Sequence, residues 1–281
     1  MHTSAILAIF KRNLFAYFGN PTGYVFICAF VLVSGLAAFW PHEFFNANLA
    51  NLDQLNKVIH LILLGFIPAI TMSIWADERR QGTDELLLTL PASDLDVVVG
   101  KYLAAVSIFT VSLLFSLSNV VVLSFLGDPD PGLMVTTFLG YWFMGLTMLA
   151  IGMVASFLTG NLTVAFVLGV AFNVPLVLAG ASDVFISGGE MTQSIREWSL
   201  HAHFLDFSRG VVSLSSIVYF GAIVASMLYL AAVLIGRRHW ATGGAGQVAA
   251  GHYLIRVVAL LVSAASLTLA ARHHDARADW S

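Results

Sequence analysis

Six long runs of apolar residues follow one another along the chain, and polar or charged segments separate them. Each run is long enough to cross a bilayer as an α-helix. The clearest boundary is at residues 127–132, Gly-Asp-Pro-Asp-Pro-Gly, which is a strong turn signal. We therefore predict six transmembrane helices, at about residues 22–40, 58–75, 102–126, 133–158, 162–181 and 211–236.

The first segment, residues 1–20, has a different pattern. An apolar residue recurs at every fourth position while charged residues interrupt the run, as in a helix that lies along the membrane surface. We predict an amphipathic interfacial helix here; a frayed, partly exposed N-terminus is the alternative. The residues assigned to this helix are Phe10, Lys11, Arg12, Leu14 and Phe18.

The last segment, residues 241–281, begins with a glycine-rich linker. A weaker apolar run follows at residues 254–271, and whether it forms a seventh span stays open. Arg256, near the start of this run, would have to extend its side chain to the interface. The chain is therefore divided into an interfacial helix (1–20), a six-span domain (21–240) and this tail (241–281).

Composition supports lipid as the surrounding solvent. Hydrophobic residues make up 58% of the chain and charged residues 10%, whereas soluble domains are about half apolar and a quarter charged. The net charge of -3 argues against a nucleic-acid partner, which usually requires a basic face. We predict an all-α, multi-pass membrane protein.

The distribution of lysine and arginine predicts the orientation. With the N-terminus in the cytoplasm, the larger basic set lies inside and the smaller set outside. The inside set is Lys11, Arg12, Arg79, Arg80, Lys101, Arg237 and Arg238, and the outside set is Lys57, Arg196 and Arg209.

The sequence offers no catalytic constellation. It has neither an H-E-x-x-H metalloprotease helix nor a G-x-S-x-G nucleophile elbow, and no glycine-rich turn precedes Lys101 to make a phosphate loop. We therefore expect that the chain is not an enzyme and holds no nucleotide or metal. The predicted spans also lack the string of buried charges that a proton- or sodium-coupled pump would need.

A few polar residues are candidates for a metal-binding or other functional site. His201 and His203, with Glu197 and Asp206 nearby, could form an outer metal site, but their spacing fits no standard ligand pattern. An interfacial helix with polar residues facing water is the preferred interpretation. Asn173 and His60, inside predicted spans, are interpreted as packing or hydrogen-bonding groups. Small residues that could allow close helix packing, between or within subunits, are Gly145, Gly152, Ser156 and Gly160.

The charged stretch between the second and third spans has its own pattern. Gly82 would end the second span, and Thr83 is a good N-cap for a short helix. Leucines at 86–88 and 90 give that helix an apolar face before Pro91 ends it. A helix this short is unstable alone in water, so it would dock onto a membrane surface or a partner groove.

These residues resemble the permease subunits of ABC-2 type ABC transporters, and most closely the branch associated with bacterial gliding motility. In that family the segment at about residues 78–92 is the coupling helix that sits on the ATP-binding subunit. Gly100 and Lys101 match the start of the family's third span. The resemblance implies an ATPase-coupling role for Glu78, Gly82, Thr83, Glu85, Leu86, Leu87 and Pro91.

Two other segments also match. The N-terminal helix is similar to the family's connecting helix, although Asn13 stands where an acid is usual. A stretch before the sixth span resembles the family's outer re-entrant segment; its residues are His203, Phe204, Phe207, Arg209 and Gly210. The tail loosely resembles the start of an auxiliary protein to which this branch is sometimes fused.

The resemblance implies an exporter permease in the bacterial cytoplasmic (inner) membrane. Its expected partners are two ATP-binding subunits, which would bind ATP and Mg²⁺, and a second permease copy or a related permease. An extracytoplasmic auxiliary protein is a further expected partner. The alternative is an ATP-driven scaffold that transmits mechanical or regulatory signals across the membrane without transport.

Overall fold

The chain folds as α-helices that pack side by side. The computed structural model describes residues 3–40, 50–83, 93–181 and 196–236, together with 256, 259–260, 263, 266–268 and 278–279. The helices are α1 (Thr3–Phe18), α2 (Pro21–Phe39), α3 (Asp53–Gln81), α4 (Asp94–Ser116), α5 (Ser118–Leu126), α6 (Pro131–Phe157), α7 (Leu162–Leu178), α8 (Leu200–Ser208) and α9 (Leu214–Gly236). A 3-10 turn at Ala179–Ala181 follows α7, and β1 (Val211–Val212) pairs antiparallel with β2 (Ala278–Asp279).

The described helices confirm an all-α protein with several apolar spans. Four segments are long and apolar enough to cross a membrane, namely α3, the α4–α5 run, α6 and α9. A fifth is present if α1 and α2, which are bent by 74°, count as one span. The apolar helix α7, with 17 residues, is shorter. Of the six predicted spans, the described residues therefore support four or five, and most of residues 254–271 lies outside them.

The central helix is α6, whose side chains are buried along most of its length. A Cβ atom added at Gly145 would lie 2.1 Å from Phe109 of α4, and one added at Gly152 would lie 2.4 Å from Thr71 of α3. Glycine at these positions allows the neighbouring helices to approach closely. These small residues therefore serve packing within one subunit.

Ser156 of α6 inserts its hydroxyl into the backbone of α3. The hydroxyl accepts hydrogen bonds from the amides of Trp75 (3.2 Å) and Ala76 (3.3 Å) and donates one to the carbonyl of Met72 (3.0 Å). Backbone polar groups cannot be satisfied by water inside a bilayer, so this hydroxyl stabilises the α3 backbone where it is buried against α6.

A small polar cluster holds the third predicted span to α2. The Asn119 amide donates to the hydroxyls of Ser34 (3.1 Å) and Ser116 (3.3 Å), and all three side chains are buried. The cluster lies beside Leu117, where α4 ends and α5 begins. The span that reads as continuous in the sequence is therefore two helices.

Candidate functional site

Three charged side chains meet where α1, α3 and α4 converge. Glu78, in the last turn of α3, pairs with Arg12 of α1 and with Lys101 of α4. The Lys101 Nζ atom lies 2.7 Å from Glu78 Oε2. We call Arg12, Glu78 and Lys101 the charged junction. It joins three helices that are far apart in the sequence.

Lys101 is the buried member of the charged junction. Its side chain is 0% exposed, and its ammonium donates a hydrogen bond to the carbonyl of Ile74 (2.6 Å). The same ammonium lies 4.4 Å from the centroid of the Trp75 ring, in a cation–π contact. A buried ammonium is costly unless it is paired and hydrogen-bonded. The Glu78 carboxylate is therefore required at this position, and Lys101 fixes α4 to the end of α3.

The residue before the lysine brings the third helix close. A Cβ atom added at Gly100 would lie 3.0 Å from the Ile9 side chain and 3.1 Å from the Ile6 carbonyl. Ile9 is the buried residue of α1. Gly100 therefore allows α1 to lie directly on α4, and this approach brings Arg12 within reach of Glu78.

The end of α3 is fixed by a glycine cap. Gly82 has φ +68°, and its amide bonds to the Arg79 carbonyl (3.2 Å) while the Thr83 amide bonds to the Glu78 carbonyl (3.0 Å). This pattern is a Schellman motif. No described residue would crowd a Cβ atom at Gly82, and the left-handed backbone at φ +68° is what favours glycine there.

The two arginines next to Glu78 face other partners. The Arg79 guanidinium lies 4.6 Å from the centroid of the Phe157 ring, and Arg80 pairs with Asp77 at 2.8 Å in an exposed i,i+3 contact. In this turn, Glu78 is the residue whose ion pairs join α3 to both α1 and α4.

The chain restarts at Ser93. Its hydroxyl accepts a hydrogen bond from the Asp96 amide, and its own amide donates to the Asp96 carboxylate, both at 3.2 Å. This capping box begins α4, which runs through Lys101. Residues 78–81 of the predicted coupling segment form the last turn of α3. Gly82 and Thr83 form its cap, and residues 84–92, which include Glu85, Leu86, Leu87 and Pro91, lie outside the described residues.

The predicted stripe of α1 faces the protein. Phe10, Leu14 and Phe18 are half-buried, and Lys11 is exposed. The helix packs mainly on α4. The Asn13 side-chain amide donates to the carbonyl of Ile9 (2.8 Å).

The predicted outer segment is an aromatic packing element at the opposite end of the helices. Phe204 of α8 stacks on Tyr141 of α6, with ring centroids 5.4 Å apart. Phe207 lies against Gly140, where an added Cβ would be 2.7 Å from the Phe207 Cβ. The segment ends at exposed Arg209 and at Gly210, whose φ is +83°.

The histidines of α8 contact different neighbours. The His203 ring is within 3.2 Å of the Ser216 hydroxyl and stacks on Tyr219, with centroids 4.0 Å apart. The His201 ring lies 5.1 Å from the ring of His60 on α3. Among the described residues, no group of three or more metal-ligating side chains comes together.

Asn173, the asparagine inside the fifth predicted span, makes a hydrogen bond within its own helix. Asn173 is buried in α7, and its amide donates to the carbonyl of Gly169 (2.8 Å) one turn earlier. The contact agrees with the predicted hydrogen-bonding role.

The geometry of the charged junction was not predicted from the sequence. Glu78 and Lys101 were each recognised as motif residues, but their pairing with each other and with Arg12 was not. The available signal was a glutamate just after one apolar run and a lysine just before the next, which places both at the same end of neighbouring spans. Buried or interfacial charges of this kind require partners.

These features define a multi-pass, all-α membrane protein whose helices are tied by ion pairs at one end. A sequence model of the family described as ABC-2 family transporter protein matches residues 47–235. The match covers more than half of the chain, so the protein belongs to this family. No curated protein matches the sequence. Membership implies a permease subunit that works with an ABC ATPase partner.

Proposed function

We propose that the chain is an exporter permease that couples ATP hydrolysis by two cytoplasmic ATPase subunits to movement of substrate across or out of the membrane. The observation that carries this proposal is the charged junction, because it lies immediately beside the segment proposed to contact the ATPase. ATP and Mg²⁺ would be bound by the partner subunits.

The proposed docking segment is residues 84–92, with Glu85, Leu86 and Leu87 in contact with the ATPase and Pro91 ending the helix. Its two flanks are well-formed helix ends, the Gly82 cap of α3 and the capping box that begins α4. A displacement of the segment would therefore act on both helices at once. Since Glu78 and Lys101 join these helices, we expect α3 and α4 to move as one unit.

The charged junction also connects α1 to α3 and α4, so α1 would move with them. Arg12 pairs with Glu78 and is 52% exposed, while the backbone of α1 is held against α4 at Gly100. We propose that α1 lies along the cytoplasmic surface of the inner membrane. The movement of α3 and α4 would then be transmitted to α1, which directly precedes α2 in the chain.

The remaining assignments are proposals that rest on the sequence. We propose that the functional unit contains two permease chains, identical or related, and that the chain belongs to the gliding-motility branch. In that branch an extracytoplasmic auxiliary protein would complete the assembly.

The test is to purify the full chain from its native membrane and to identify the ATPase that accompanies it by its phosphate-loop sequence. The variants Glu85→Lys and Leu86→Asp should reduce co-purification of that ATPase by about tenfold or more, the equivalent of one lost hot-spot contact. Asp77→Asn is the matched control, because it removes an exposed pair on the neighbouring turn. Unchanged co-purification of the ATPase with both docking variants would contradict the docking.

The double variant Glu78→Gln/Lys101→Met separates coupling from docking. It replaces the buried pair with neutral groups and leaves residues 84–92 intact. We expect the ATPase to bind normally, while its stimulation by the permease in proteoliposomes is lost. Stimulated ATPase activity in the unmodified complex, without movement of any lipid, glycan or peptide substrate, would favour the scaffold alternative.

A further inference from the structure

A groove of about 610 Å³ lies between α5 and the first turns of α6, at the end of the helices opposite the charged junction. Its size is typical of sites that bind small molecules. The walls are apolar and are formed by Leu117, Val120, Met134 and Phe138. Because none of these residues belongs to the charged junction or to α8, the groove is a separate site.

The groove lies at the depth of a membrane surface. The α4–α5 run, Asp94–Leu126, is one candidate membrane span, and the α6 span begins at Pro131. The turn between these two spans, which contributes Gly127, Asp128 and Pro129 to the groove, therefore lies near the bilayer boundary, while α5 lies within the span. The groove thus has one end toward the acyl chains and the other toward the head groups.

The surface around the groove is one that acyl chains would cover. Phe125 is 87% exposed, Val135 65% and Val121 57%. These side chains lie on or just after the α4–α5 span, in which an apolar surface is in contact with lipid and not with water. The apolar walls of the groove continue this surface, so membrane lipid has direct access to it.

The rim of the groove is acidic. Asp128 and Ser124 line it at the end of α5, and among the described residues that line the groove none is basic. The neighbouring Asp130 caps the start of α6: its carboxylate accepts hydrogen bonds from the amides of Gly132 (2.8 Å) and Leu133 (3.3 Å). Asp128 would therefore attract a cationic head group and repel an anionic one.

We propose that this groove binds one acyl chain of a phospholipid with a primary-amine head group, whose ammonium pairs with the Asp128 carboxylate. The site is formed where α5 and the turn that follows it lie beside the first turns of α6. The buried Ser34, Ser116 and Asn119 cluster lies beside the break at Leu117, where α5 begins. This site does not depend on the ATPase-coupled function proposed above.

The test is native mass spectrometry of the full chain, released from detergent with phosphatidylethanolamine or phosphatidylglycerol of identical acyl chains. The unmodified chain should retain one phosphatidylethanolamine and bind phosphatidylglycerol about tenfold more weakly. Ser124→Trp, which fills the groove, should lose the bound lipid. Val121→Trp is the matched control on an exposed face of α5 and should retain it.

Asp128→Asn tests the head-group contact separately. We expect this variant to keep lipid binding and to lose the preference for the amine head group. Equal lipid retention by Ser124→Trp and Val121→Trp would overturn the acyl-chain site, and an unchanged preference in Asp128→Asn would overturn the head-group assignment. A change of oligomeric state in Ser124→Trp, measured by light scattering, would instead identify the groove as an interface between copies and would overturn the proposal.

Discussion

The two ends of the helical bundle are held together by different forces. At one end, the charged junction ties three helices through ion pairs to a single carboxylate, that of Glu78. At the other end, α6, α8 and α9 pack through rings at centroid distances of 5.4 to 6.3 Å. We call this second group the aromatic cluster; its members are Tyr141, Phe143, Phe204, Phe207 and Phe220.

The difference suits the proposed coupling. An ion pair inside a low-dielectric site is strong, directional and concentrated in a few atoms, so it can transmit a displacement from one helix to another. Aromatic packing is spread over many weak contacts and resists displacement as a block. In the proposed coupling, the charged junction would pass on movement and the aromatic cluster would act as the fixed end.

The largest expected effect comes from removing the shared carboxylate. Glu78→Gln leaves the Lys101 ammonium buried without an anion, so we expect a loss of about 3–5 kcal/mol in the free energy of unfolding. The measurement is denaturant unfolding of the purified protein in detergent at pH 7. Asp77→Asn, which breaks the exposed pair with Arg80, should cost less than about 1 kcal/mol.

A second variant makes this prediction specific. Adding Lys101→Met to Glu78→Gln removes the unpaired charge and should restore most of the lost stability, because an apolar replacement of a buried pair is often near neutral. Equal stabilities of Glu78→Gln and Asp77→Asn would show that the buried position of Lys101 carries no energetic weight.

The next effect probes the aromatic cluster. In Gly140→Ala the new methyl group would meet the side chains of Phe204 and Phe207 at 2.7–2.9 Å. We expect a loss of about 1–3 kcal/mol from overpacking, and this loss should not change with salt concentration. Gly221→Ala on α9 is the matched control, since no described atom lies within 4 Å of its added Cβ, and it should be neutral or slightly stabilising. Similar destabilisation by both variants would contradict close packing at Gly140.

The positions of the helices could be predicted from the sequence because they follow from local properties. The apolar run at 133–158 became α6 (Pro131–Phe157), and the glycine expected to end the second span caps α3 with φ +68°. Both signals, continuous hydrophobicity and a left-handed glycine, act within a few residues. Local physics decides them before any tertiary contact forms.

The lateral arrangement could not be predicted in the same way. The run at 102–126 carries no charged residue and is predicted as one span, and the contacts of Asn119 with Ser34 and Ser116 beside the break at Leu117 are visible only in the structure. Likewise, the pairing of Lys101 with Glu78 depends on α3 lying beside that face of α4, which the sequence does not show. Such features depend on neighbours that periodicity does not identify.

A smaller effect is expected from one hydrogen bond beside the aromatic cluster. The Tyr219 hydroxyl donates to the carbonyl of Trp198 at 2.6 Å and so holds the start of α8 to α9. Tyr219→Phe should cost about 1 kcal/mol, the net value of a typical hydrogen bond. Tyr229→Phe, on the same helix, is the control, because its hydroxyl bonds to no described residue. Equal unfolding free energies of the two variants would show that the bond to Trp198 contributes nothing.

The smallest effect is a pH dependence at the aromatic end. Burial lowers the pKa of His201 below the ordinary value of 6.5, and the positive charge of Arg196 lowers it further. The folded protein then binds this proton less readily than the unfolded chain, so the contribution to stability is complete above pH 6.5 and falls as the pH drops below it. Denaturant unfolding at pH 7.5 and at pH 5.5 should show this fall, and His201→Gln should reduce it. Arg196→Gln should reduce it less, since desolvation is the larger cause. If His201→Gln keeps the full difference in unfolding free energy between the two pH values, another group carries the pH dependence.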